Sequence, residues 1–214
     1  MSDEIICREY TENDLPFLTD IVIKVWGFDD ILSEKNAKLI AELNLYSFLN
    51  TATFAKVALK DKRPVGFLIG KIINSKQNNI YKNKIKEIKS KMPKNIEGIV
   101  SLLVYKKIKS INNNLYKQAN KNYDAEFSFF AVSKDYQGLG IGKTLFEEFN
   151  NYLFEEFNNY LKENNINNLY LYTDTYCNYK FYEHFGMHKI KEKHFSMPFT
   201  KKFDIDFYLY DKDL

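Results

Sequence analysis

Glycines at 138, 140 and 142 stand between an apolar run, AEFSFFAV (125–132), and an amphipathic stretch that opens near Ile141. A strand that turns so abruptly into a helix leaves the first helical N–H groups without intrahelical acceptors, all facing one small volume. Aligned peptide dipoles add about half a positive charge at that end, so the place suits an anion and a phosphate above all. Glycine serves there because a Cβ would hold the phosphate off the amides. Lys143 and Thr144 stand next in line as side-chain donors. Two familiar phosphate loops do not fit. A Walker A loop needs glycine five residues before Gly142-Lys143-Thr144, and position 137 is Gln. The dinucleotide fingerprint G-x-G-x-x-G is not met by G-x-G-x-G. A ligand-free tight turn and a nucleotide-triphosphate binder using Gly140 to Thr144 remain as rival readings of these glycines.

The pattern that fits is Gln/Arg-x-x-Gly-x-Gly/Ala, here Gln137-Gly138-Leu139-Gly140-Ile141-Gly142, behind a strand and ahead of a helix. It resembles the central motif of the GNAT family of N-acetyltransferases. The likeness extends from IICREY (5–10) and a following hairpin to TDTYCNYKFYEHFGM (173–187), and leaves out only a basic stretch between them. The resemblance implies a coenzyme A pyrophosphate held by the amides of Gln137 to Gly142, with Lys143 and Thr144 beside them. It also implies a pantetheine arm on Ala131 and Val132, where the strand splays from its neighbour. Tyr182, in Asn178-Tyr179-Lys180-Phe181-Tyr182-Glu183, would lie near the cofactor sulfur, with Asn178 and Phe181 beside the cofactor. Many relatives carry Asn seven residues before that tyrosine, where this chain has Thr175, and Met187 replaces the commoner phenylalanine.

Glu126 matches the glutamate that some relatives use as base. The implied reaction is direct: an amine attacks the acetyl-CoA thioester after Glu126, through water if need be, takes a proton from its ammonium form. The Val132 N–H would polarise the carbonyl, and Tyr182 would protonate the departing thiolate. The acceptor is then a small-molecule or protein amine. A catalytically silent acyl-CoA-binding regulator is the rival, keeping the cradle but lacking a working base. Aromatic packing for Tyr182 and a solvated strand-edge carboxylate for Glu126 are the plainer readings of those two residues.

These residues need elements to hold them. IICREY reads as a strand, 12–26 and 32–49 as helices with Ser33 as an N-cap, and 53–59 and 64–73 as a hairpin turning at 60–63. Tyr81, Ile85, Ile88 and Met92 recur at helical spacing until Pro93, and 96–115 is helical again. Strands are expected at 125–132, 167–173, 187–192 and 206–210, and a short helix at 177–184. Leu145 to Tyr152, LFEEFNNY, is repeated unchanged as 153–160. Eight residues make two turns plus ~80°, so the copy rotates the apolar stripe. A helix over 142–162 would run ~30 Å and overhang a ~17 to 20 Å strand, and a break between the copies would count against it.

The expected fold class is α/β in the α+β sense: a GNAT-like mixed, mostly antiparallel central sheet flanked by helices. A single domain over 1–214 carries a helical Lys/Asn-rich insertion, 74–123, between the third and fourth strands. With 214 residues, 45% of them hydrophobic, a full core is available. No run approaches the ~20 apolar residues of a membrane span and MSDEIICREY does not resemble a signal, so a cytoplasmic protein without a membrane partner is expected. Cys7 and Cys177 are too few for a disulfide framework, and His184, His188 and His194 lack the spacing of a metal site, so no metal is expected. The charge is +3, with 12 Lys against 2 Glu in 74–123 making that stretch +10 and the remainder −7. Lys and Asn rather than Arg favour a solvated face over nucleic-acid binding. Asp29 and Asp30 either draw a cationic amine or meet water, and the sequence leaves room for a homodimer.

Overall fold

A computed structural model describes residues 5–75, 79–159, 166–196 and 204–214. Stretches rich in β-branched and aromatic residues form the strands β1 (Ile6–Glu9), β2 (Phe54–Lys60), β3 (Arg63–Ile72), β4 (Ala125–Val132), β5 (Asn168–Asp174), β6 (His188–Ser196) and β7 (Asp204–Asp213). They make one seven-stranded, mostly antiparallel sheet in the order β1-β2-β3-β4-β5-β7-β6. The β4–β5 ladder is parallel. The β2–β3 hairpin turns through Asp61 and Lys62 at φ 51° and 66°, the pair of positive values that matches the twist of the flanking strands. The helices are α1 (Leu15–Trp26), α2 (Glu34–Leu49), α3 (Lys82–Lys91), α4 (Ile96–Ala119), α5 (Ile141–Asn159) and α6 (Tyr179–His184). The chain forms two compact units, 1–102 with 128–165 and 103–127 with 166–214.

In the first unit, Leu18 and Val22 of α1, Ala41 and Leu45 of α2, and Val57, Phe67 and Ile69 of the hairpin form the core. Helix α5 lies directly on β3. A Cβ at Gly70 would sit 2.3 Å from the Phe149 ring, and one at Gly66 would sit 3.1 Å from the Ala131 carbonyl oxygen and 3.2 Å from Ile141. Those two bare positions let α5 begin close behind the end of β4. The helix runs unbroken from the first copy of the duplicated segment into the second, as far as Asn159. The rotation between copies is visible in burial, since Phe146 is buried while its counterpart Phe154 is 65% exposed. The overhang expected at Tyr160 to Lys162 lies outside the described residues.

The insertion is helical as expected, with Pro93 in a tight turn between α3 and α4. Its polar outer face is a Lys/Asn surface only in part: Ile96, Ile99, Val100 and Leu103 are exposed before Lys106, Lys109, Asn113, Asn114 and Lys117 take over. Ser33 does occupy the N-cap position of α2 but makes no cap hydrogen bond there. Its hydroxyl instead donates to Glu97 at 2.6 Å, and Asn36 donates to the same oxygen at 2.6 Å. One carboxylate at the start of α4 thus ties the insertion to the first turn of α2.

In the second unit β7 is the middle strand, antiparallel to both β5 and β6. Both β6 and β7 extend beyond the expected spans. Strand β6 is exposed along most of its length, so it carries little of the apolar alternation by which a sequence announces a strand.

Candidate active site

The loop from Gln137 to Gly140 is exposed and ends where α5 starts. Gly138 and Gly140 have φ of +81° and +80°, a conformation costly for any residue with a Cβ. An added Cβ at either position would meet no protein atom within 4 Å. Packing therefore does not demand these glycines; the backbone turn does, and the bare surface above them lets a ligand approach the amides. Among the described residues, no acceptor takes the N–H of Leu139, Gly140, Ile141, Gly142 or Lys143. That is a chain of amides at a helix N-terminus, suited to a polyanion such as a diphosphate.

The side chains around this loop hold it together. Gln137 donates its amide to the Val132 carbonyl at 3.3 Å. Thr144 donates its hydroxyl to the Gly140 carbonyl at 3.3 Å, which spends the donor that a triphosphate loop would need. Ile141 and Ala131 are buried and offer a ligand their backbone alone, while Leu139 is exposed. Lys143 leans along the helix to 3.7 Å from Glu147. In the same unit, the rings of Trp26 and Phe48 meet Phe129 of β4 at 5.0 and 4.8 Å. Of the two acids between α1 and α2, Asp29 is already paired with Lys24 at 2.5 Å, and that hydrogen bond holds its carboxyl below the usual range.

In the second unit, α6 carries Tyr182 into a buried position, with its ring edge-on to Phe127 at 5.8 Å and to Phe181 at 5.5 Å. Burial, and after it the neighbouring Cys177 and Asp174, pushes its phenol far above the ordinary value. Tyr182 thus keeps its proton at neutral pH and has it to donate. Asn178 stands at the N-cap of α6 without a side-chain cap bond. Thr175, the departure from the family pattern, accepts the Asp206 N–H at 3.2 Å. Glu126 is buried, and its Oε2 accepts the Tyr170 hydroxyl at 2.6 Å. A solvated edge residue would not look like this.

Residues 24–187 match the Acetyltransferase (GNAT) family. The chain belongs to that family. No curated protein matches by sequence. Among solved structures, the ribosomal-protein-S18-alanine N-acetyltransferase from Escherichia coli is 12% identical, with 98% of this chain and 94% of that one covered and a TM-score of 0.53. The PaiA N-acetyltransferase from Thermoplasma acidophilum, solved in complex with coenzyme A, is 16% identical over 99% of both chains, TM-score 0.51. The Drosophila melanogaster polyamine N-acetyltransferase is 9% identical over 99% and 100% of the two chains, TM-score 0.57. At these identities the likeness is one of fold.

Within this GNAT chain, two features of the candidate site escaped the sequence. Tyr170 could not be tied to Glu126 until the parallel register made them cross-strand partners. Asp174 and Cys177 gather beside Tyr182 only because β5 ends one turn before α6. Among the described residues, no group of three or more His, Cys, Asp or Glu is arranged to hold a metal, and no helix is long and apolar enough to cross a membrane. His194 spends both ring nitrogens, near Asp204 at 3.1 Å and Asp206 at 2.8 Å.

Proposed function

We propose that this GNAT chain transfers an acetyl group from acetyl-CoA to a primary amine. The observation that carries the reading is the glycine loop: two left-handed glycines with open space above them, ahead of unpartnered amides at the start of α5. The amides of Gly138 to Lys143 would hold the diphosphate of coenzyme A. Ala131 and Val132 would offer backbone to the pantetheine arm, with Asn178 and Phe181 beside the cofactor.

Bound acetyl-CoA supplies the activated acyl group as a thioester. Glu126 takes a proton from the acceptor's ammonium, so that a neutral amine forms the new C–N bond while the C–S bond breaks. Tyr182 gives its proton to the departing thiolate and regains one from the newly acylated nitrogen, a role supported by the burial that keeps it protonated. The same burial raises a thiol's proton affinity, which helps a tyrosine protonate it. Neither cysteine suits an acyl-enzyme route, because burial pushes Cys7 up to about 11 and Cys177 up to about 12, and a protonated thiol is a poor nucleophile.

The test is thiol release from acetyl-CoA across a panel of amines. The wild type is expected to turn over at least one, and Tyr182→Phe to lower kcat by about 10²- to 10⁴-fold, the usual worth of a general acid. Coenzyme A binding without turnover of any amine would overturn the enzymatic reading.

A further inference from the structure

Glu126 and Tyr170 are register partners across the parallel β4–β5 ladder, so their side chains rise from the same face. Tyr170 donates to Glu126 Oε2 at 2.6 Å, with both groups buried. A carboxylate removed from water is tolerated only where hydrogen bonds replace the lost hydration. Burial first, and the Glu126 charge second, push the Tyr170 phenol far above its ordinary value, so it remains a donor.

The donor is itself held. Tyr116, in the last turn of α4, meets the Tyr170 ring edge-on at 5.1 Å, and Tyr123 meets it at 4.9 Å. Tyr123 is fixed in turn by its hydroxyl on Asp211 at 3.0 Å, a carboxylate that Lys121 also reaches at 3.1 Å. Tyr116, Lys121 and Tyr123 all belong to the insertion, 74–123. Its C-terminal end therefore packs against a side chain that anchors Glu126.

We propose that Tyr170 is a positioning residue for the Glu126 base and that Tyr116 locks Tyr170, so that the insertion helix governs how well the acceptor's proton is removed. This rests on the reading of Glu126 as the base. The Tyr170 hydroxyl touches no reacting atom; it fixes one carboxylate oxygen and with it the direction of the whole group. A charge-assisted bond of this kind is worth more than a neutral one and adds orientation.

Steady-state acetyl transfer by Glu126→Gln, Tyr170→Phe, their double variant and Tyr116→Leu tests it, with acetyl-CoA and an amine the wild type accepts. Glu126→Gln should lower kcat by about 10²-fold or more. Tyr170→Phe keeps the ring and its contacts, and should lower kcat by about 10- to 100-fold while the KM for acetyl-CoA stays within about twofold. The double variant should be no slower than Glu126→Gln, since the hydroxyl acts only through that carboxylate. Tyr116→Leu should lower kcat in the same direction by a smaller factor. If Tyr170→Phe keeps the wild-type kcat, or its loss multiplies with that of Glu126→Gln, the positioning role is overturned and the base reading stands. Wild-type kcat in Glu126→Gln removes the base reading itself.

Discussion

Cys177 and Tyr182 share a buried corner with Asp174, and their protons answer to the same cause. Desolvation penalises the charged form of each, and the Asp174 carboxylate adds to it. For Tyr182 the result is a phenol that stays a donor. For Cys177 it has a consequence for stability. The folded thiol is pushed up to about 12 from an ordinary 9.0, so its contribution is complete below 9.0 and is lost as pH rises toward the folded value. Between those limits the unfolded chain binds fewer protons, and stability falls by at most about 1.4 kcal/mol per pH unit from this group. Urea unfolding from pH 8 to 10.5 should therefore show a shallower decline in Cys177→Ala than in the wild type. Parallel declines would mean that the thiol is not desolvated as described. The type and place of Thr144 suggest a phosphate donor, and only the bond to the Gly140 carbonyl shows the hydroxyl spent inside the loop.

Helix α5 shows how a repeated sequence acquires two environments. Its first copy places Leu145, Phe146 and Phe149 in the core, and the second keeps Leu153 but turns Phe154 outward. The ~80° offset of an eight-residue period is enough to explain this. Phe146→Ala should cost about 3 to 5 kcal/mol in chemical denaturation, while Phe154→Ala should stay within about 0.5. Equal losses at the two sites would contradict the rotated stripe. Elements with a strong apolar period were legible to within a residue or two, including β4, the start of α5 and the turn at Asp61 and Lys62. The ends of β6 and β7 were not, because backbone pairing rather than side-chain burial holds β6. Nor was the Glu97 tie between α4 and α2, which joins residues 61 and 64 positions apart. The cradle could be read because its glycines fall within five residues of one another, whereas the Tyr170–Glu126 pair depends on a register between residues 44 positions apart.

At the scale of the molecule, the chain's GNAT membership and the open amides before α5 point to one ligand class, and the uneven charge does not oppose it. The insertion's excess of lysine sits in a chain whose net charge is only +3, which leaves anionic coenzyme A to be recognised by placed donors rather than by a general field. The decisive titration is calorimetric: coenzyme A into the wild type and into Gly140→Val. A Cβ at Gly140 would meet no protein atom within 4 Å, so the main cost to the fold should be the strain of its positive φ, roughly 1 to 2 kcal/mol. Coenzyme A should bind the wild type, and the folded Gly140→Val should bind it at least about tenfold more weakly, or about 1.4 kcal/mol. Equal affinity in the two proteins would contradict a diphosphate seated on the amides of Gly138 to Lys143.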